Sequence, residues 1–122
     1  MKGTGGRPTA FVINWNKPEA LERVRLLRKQ GWTVRYEHAD GARGGGAIKA
    51  NPPDVIVIYL SRLPSHGRET AHALKSMKPT RAIPIVFVDG EPDKIAKVKA
   101  VVPDAVYTTS GNLRKALEPF KR

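Results

Sequence analysis

Polar and aromatic side chains collect just beyond the apolar runs of this sequence. They comprise Asn14, Trp15 and Asn16 after residues 10–13, then Tyr59, Ser61 and His66 after 55–58, then Asp89, Thr108 and Thr109 after the last two runs. If those runs are parallel strands, the set converges on one rim, because ligands of open α/β sheets bind outside the carboxyl ends of the strands. Such a rim could read a small ligand by hydrogen bonds, with Trp15 or Tyr59 stacked on a ring. The competing reading is that these groups hold one another in place. Neutral amides and a single carboxylate, Asp89, contribute too little charge to hold a hard divalent ion, so no metal site is expected.

Other candidates fail on spacing or context. His38, His66 and His72 lack ligand spacing: His66 and His72 lie six apart and do not share a helical face. Ser65-His66 makes no nucleophile pair by adjacency, since such chemistry is defined by geometry and needs an orienting acid. The glycines of 41–46 suggest a phosphate cradle, yet the stretch shows neither the dinucleotide fingerprint nor the Lys-Ser/Thr ending of a P-loop. With no cysteine in the chain, disulfides and thiolate chemistry are excluded.

The 122 residues fit one domain, and 22 Lys and Arg against 11 Asp and Glu give a formal charge of +11. That imbalance favours polyanionic partners, nucleic acid among them, and the densest basic group is Arg23, Arg25, Arg28 and Lys29. Aromatic residues do not interleave with these cations, so a stacking platform for single strands is unsupported and any binding would act through the phosphate backbone. Nothing approaches the ~20 apolar residues of a membrane span, and a cytoplasmic location is the default expectation.

The elements that must position these residues alternate in type. Apolar runs at 9–14, 55–58, 83–88 and 105–108 read as strands, and 33–37 alternates like a half-exposed edge. Between them lie helical stripes: Ala20, Leu21, Val24 and Leu27, capped by Asn16 and stopped by Gly31; then Thr70, Ala73, Leu74 and Met77; then Ile95 and Val98 with Val101 or Val102; and finally Leu113, Ala116, Leu117 and Phe120. Residues 39–51 should form the remaining helix, weakened by glycines at 41, 44, 45 and 46. Residues 1–8 are expected to be a flexible leader, with the domain over 9–122. Buried β-branched strands interleaved with amphipathic helices imply a flavodoxin-like α/β sandwich with five parallel strands in the order 2-1-3-4-5.

Over about residues 9–120 the chain resembles the response-regulator receiver (CheY-like) domain. The likeness rests on Pro53-Asp54 leading into Val55-Ile-Val-Ile-Tyr59-Leu60, on Gly67 at the opening of the third helix, on Ile83-Pro84-Ile-Val-Phe-Val88, and on Pro103-Asp104-Ala-Val-Tyr-Thr108. The resemblance implies a domain that takes a phosphoryl group on an aspartate ending strand three, using magnesium held by carboxylates. Here Tyr59 stands at the acceptor position, Asn14-Trp15-Asn16 at the acidic pocket, Asp89 at the switch hydroxyl and Thr109 at the lysine. Pro64 lies five residues after Tyr59, where four is usual. The resemblance therefore implies a pseudo-receiver in signal transduction that is not an enzyme, needs no cofactor and binds an unknown regulatory protein. By carry-over from the family, its interaction face includes Lys94, Lys97, Lys99, Tyr107, Arg114 and Lys115. Pairing of two copies stays open, as does nucleic-acid binding through the basic surface.

Overall fold

A computed structural model describes residues 6–121. Five strands, β1 (Thr9–Ile13), β2 (Thr33–Glu37), β3 (Val55–Tyr59), β4 (Ile85–Val88) and β5 (Val106–Thr108), form one parallel sheet in the order β2-β1-β3-β4-β5. Helices α1 (Lys17–Lys29), α2 (Gly41–Ala50), α3 (Pro64–Ser76) and α4 (Pro92–Val101) make the crossovers and, with α5 (Leu113–Leu117), cover both faces. This is the flavodoxin-like sandwich that the alternation predicts. Most of the expected leader, residues 1–5, lies outside the described residues, and the Pro8 carbonyl already accepts a hydrogen bond from the Thr33 amide.

The period of two along each strand sorts the core into two layers. Val55, Val57 and Tyr59 face α1 and α5 with Val12, Val24, Leu27, Trp32, Val88 and Leu117. Ile56 and Ile58 face α2, α3 and α4 with Phe11, Ile48, Leu74, Phe87 and Val98. Tyr59 therefore ends β3 as a core residue of the α1/α5 layer, only 3 % exposed.

Local signals explain the helix ends. The Asn16 Oδ1 accepts from the Glu19 amide and caps α1. At the other end Gly31 adopts φ +100°, its N–H reaches the Arg28 carbonyl and the Trp32 N–H reaches Leu27, which turns Trp32 into the core as a Schellman stop. The glycine-rich α2 forms a full ten-residue helix because its start is fastened at two points. Asp40 caps the amides of Ala42 and Arg43, while Arg43 grips Glu37 at the end of β2 with two bonds of 2.8 and 2.7 Å. Gly41 is needed there, since a Cβ would lie 2.6 Å from the Thr70 hydroxyl oxygen.

Three expectations need correction. Strand β4 begins at Ile85 and not at residue 83, and β5 begins at Val106 and not at 105, because the preceding turns bend Ile83 and Ala105 out of the ladder. The last helix is a short α-helical piece between two 3-10 turns, Ser110–Asn112 and Glu118–Phe120. Pro119, at the start of the second turn, lacks the N–H that a continuing helix would use. Among the described residues no helix is long and apolar enough to cross a membrane.

Candidate functional site

The expected rim divides into three groups that do not share one pocket. The first is built around a residue that the sequence groups with the basic surface of α1. Arg23, on the second turn of α1, bends over the carboxyl ends of β1 and β3. Its guanidinium carbon lies 4.2 Å from the centroid of the Tyr59 ring, and its Nη1 donates to the Oδ1 of the fully buried Asn14 and, at 3.2 Å, to Glu19 Oε1. The other Glu19 oxygen accepts two bonds, of 3.0 and 2.7 Å, from Arg62 in the β3–α3 loop. Asn14 also donates to the Asn16 carbonyl and to Glu19.

One carboxylate thus serves two guanidinium groups at the mouth of the sheet. The Arg62 hydrogen bonds hold Glu19 below the usual carboxylate range despite its partial desolvation, with Asn14 and Arg23 adding to the effect. Burial pushes the Tyr59 hydroxyl up to about 12, against the lowering influence of Arg23, so the phenol stays protonated throughout the physiological range. A protonated phenol is a poor nucleophile. Arg23 supplies a fixed positive charge in the hydrogen-bonded position beside Tyr59, and a cation over an aromatic face is attracted by the ring quadrupole.

The second group joins the last two strands. Asp89 takes a left-handed backbone at φ +62° and accepts from the Ser110 amide at 2.9 Å and from its hydroxyl at 2.5 Å. Its neighbour Gly90, at φ +104°, leaves room for Leu60, whose Cβ would stand 2.9 Å from an added methyl. Thr108 contributes its carbonyl to the Asp89 amide, and Thr109 is exposed just beyond β5.

The third group lies on the opposite layer. Trp15 meets His66 edge-on, ring centroids 5.4 Å apart, beside a cavity of about 480 Å³ between α2 and α3 whose wall includes Gly41 and Thr70. Asn16 is occupied as the α1 cap, and Ser61 is exposed in the loop after β3. Among the described residues no three His, Asp or Glu side chains converge as a metal centre. The residues present do not fit magnesium: Glu19 is engaged by two guanidinium groups, Asn14 is neutral and already bonded, and Asp89 is turned onto Ser110.

The predicted interaction face also divides. Lys99 lies over the Tyr107 ring at 5.1 Å, and Tyr107 stacks on Phe87 and donates to the Val102 carbonyl at 2.7 Å. Burial pushes the Tyr107 hydroxyl up to about 12. Lys94 and Lys97 instead line a cleft between α3 and α4, and Arg114 lines a pocket with Tyr59 and Arg23. Lys115 is exposed on α5.

The basic group expected on α1 is likewise dispersed: Arg23 turns inward, Arg25 pairs with Glu22 at 2.6 Å, and Arg28 bonds the Val34 carbonyl at 2.8 Å. Sequence reasoning missed Glu19 and Arg62 as site residues and assigned Arg23 to the basic surface and not to the rim. The available signal was the Glu19–Arg23 spacing of four on the edge of the apolar stripe, which puts both heads next to the strand ends.

No protein-family model matches the chain. It is 27% identical over 110 residues to the probable transcriptional regulatory protein TcrX of Mycobacterium tuberculosis (strain ATCC 25618 / H37Rv), a match that covers 87% of this chain and 46% of that protein. The chain therefore spans about half the length of this curated relative. Among solved structures it is similar to the chemotaxis protein CheY4 of Vibrio cholerae, with a TM-score of 0.77 at 19% identity over 94% of this chain and 99% of the other. The response regulator receiver domain (CheY-like) of Methylobacillus flagellatus gives a TM-score of 0.78 at 16% identity, with coverage of 94% and 99%. The chain has the CheY-like receiver fold.

Proposed function

We propose that this chain is a pseudo-receiver: a non-catalytic domain that binds a regulatory protein in signal transduction without phosphorylation at the end of β3. The observation that carries this reading is the Arg23 guanidinium seated on Tyr59 and bonded to Asn14 and Glu19. A receiver reaction needs a carboxylate nucleophile and a cation held by carboxylates to neutralise charge on the transferring oxygens. Here the nucleophile position is a protonated phenol, and the cation is a covalently attached side chain with no open coordination position. The face carried over from the family, with Lys94, Lys97, Lys99, Tyr107, Arg114 and Lys115, is proposed to dock the partner, on a domain that spans 9–122.

The test is incubation with acetyl phosphate and magnesium, followed by intact mass analysis and hydroxylamine treatment. The reading predicts an unchanged mass. An acid-stable, hydroxylamine-labile phosphoryl adduct on this chain would sink it.

A further inference from the structure

We propose that the cleft between α3 and α4 is a docking site for an extended acidic segment of a partner protein that carries one apolar side chain. The inference rests on the interaction reading above and goes beyond it: Lys94 and Lys97 of the carried-over face are joined by Leu63 and Arg68, which lie outside that face.

Charge and shape carry the argument. Most of the acids of this +11 chain are engaged within the fold: Glu19 by Arg23 and Arg62, Glu22 by Arg25, Glu37 by Arg43, Asp40 as a helix cap, Asp54 by Thr9 and Asp89 by Ser110. The cleft, of about 300 Å³, holds Arg68 of α3 opposite Lys94 and Lys97 of α4, and no acidic side chain lines it. Among the described residues neither Arg68 nor Lys97 has an acidic partner. The nearest pairing is an exposed contact of 4.0 Å between Lys94 and Asp93. Lys94, Lys97 and Val98 share one face of α4 by the three- and four-residue spacing, so three cations converge and are not merely scattered.

The apolar part is equally specific. Leu63 stands at the lip of the cleft, 52 % exposed, with its backbone held left-handed at φ +44°. A branched residue is disfavoured there, and an exposed leucine gains nothing from burial in the free domain. Covered by a partner's apolar side chain, the same leucine becomes a contact surface. A nucleic-acid strand fits less well: no aromatic ring lines the cleft for base stacking, and a phosphate backbone offers nothing apolar to cover Leu63.

The experiment uses the full chain and two ligands of equal charge: a short polyglutamate peptide with one central leucine, and a short single-stranded oligonucleotide. Amide shift mapping locates the contact and fluorescence anisotropy measures affinity. The peptide is expected to shift residues 63–68 and 94–98, and to bind more weakly as salt rises. Replacing Arg68, Lys94 and Lys97 together by Gln should weaken it at least ~10-fold. Leu63→Gly, which suits the backbone and removes the side chain, should weaken it several-fold, as should serine for the peptide's leucine. Gln at Lys29, Lys78 and Arg81, exposed cations outside the cleft, should leave affinity unchanged.

Peptide shifts on β5 and α5 without shifts at 63–68, equal loss from both triple variants, or no binding at millimolar peptide each overturn the proposal. Tighter binding of the oligonucleotide at the same residues overturns it in favour of nucleic acid. The phosphodonor test is independent: an acyl phosphate refutes the pseudo-receiver reading whatever the peptide does.

Discussion

Replacing Arg23 by Met retains most of the aliphatic stem and removes the guanidinium, which isolates the role of its charge. Two losses are expected. The cation over the Tyr59 ring contributes about 1 kcal/mol in a partly desolvated setting, and the Arg23 side chain is only 21 % exposed. The Asn14 Oδ1 atom loses its donor inside a residue with no exposed surface, at a cost of about 1–3 kcal/mol. The contact with Glu19 adds little, since that carboxylate keeps Arg62. The sum is a destabilisation of about 2–4 kcal/mol, or a fall in melting temperature of roughly 8–15 °C for a domain of this size. Urea unfolding of wild type, Arg23→Met, Tyr59→Leu and the double variant measures it. The cycle should return a coupling of about 1 kcal/mol between Arg23 and Tyr59. Arg25→Met, in an exposed pair with Glu22, should leave the midpoint in place. A loss below about 0.5 kcal/mol for Arg23→Met, or a coupling of zero, would refute the reasoning.

Other consequences follow from the same geometry. Bonds from Arg43, then from the Ala39 and Asp40 amides, hold Glu37 at about 2 against an ordinary 4.5. A lowered folded value means stability that is present above pH 4.5 and lost as pH falls towards 2. That depression is equivalent to about 3 kcal/mol, reduced to roughly 2 by screening at the exposed Arg43 end. Glu37→Gln should flatten the acid limb of the stability curve, and an unchanged limb would exclude Glu37 as its source. Tyr59→Asp should not restore phosphorylation by acetyl phosphate, because the new carboxylate would meet Arg23 and not a metal; a phosphoryl adduct on that variant contradicts this. Gly45→Ala, where an added Cβ meets nothing within 4 Å, should stabilise α2 by about 0.5–1 kcal/mol, while Gly67→Ala, whose Cβ would stand 2.9 Å from Ile58, should destabilise; differential scanning calorimetry reads both signs.

The fold was legible because its signals are redundant. Strands such as Val55–Tyr59 are buried on both faces and so carry no polar alternation to confuse them with an edge, and the caps Asn16 and Gly31 lie where their chemistry requires. The order of strands follows from handedness once five alternations are counted. The site was legible only in part. Asn14, Tyr59 and Asp89 could be placed at strand ends by spacing, but their partners depend on side-chain direction. Arg23 sits among α1 cations of similar type; its place at the edge of the apolar stripe separates it from Arg25, but its seat over the Tyr59 ring is set by its rotamer. The split of the rim has a similar cause. Tyr59 faces α1 and α5 by strand parity, whereas Trp15 lies past the end of β1, where parity no longer holds, and packs with the opposite layer. Glycine propensity alone argues against α2, and the Glu37–Arg43 and Asp40 contacts that fasten its first turn are tertiary and invisible to propensity.

The central claim is that a guanidinium occupies the place where a working receiver would need a metal and its carboxylates. A magnesium titration followed through the amide resonances of Asn14, Tyr59, Asp89 and Ser110 tests it directly. The account predicts no saturable shift of these four resonances through millimolar magnesium, in wild type and at constant ionic strength. A saturable, magnesium-specific shift centred on Asn14 and Asp89 would contradict it.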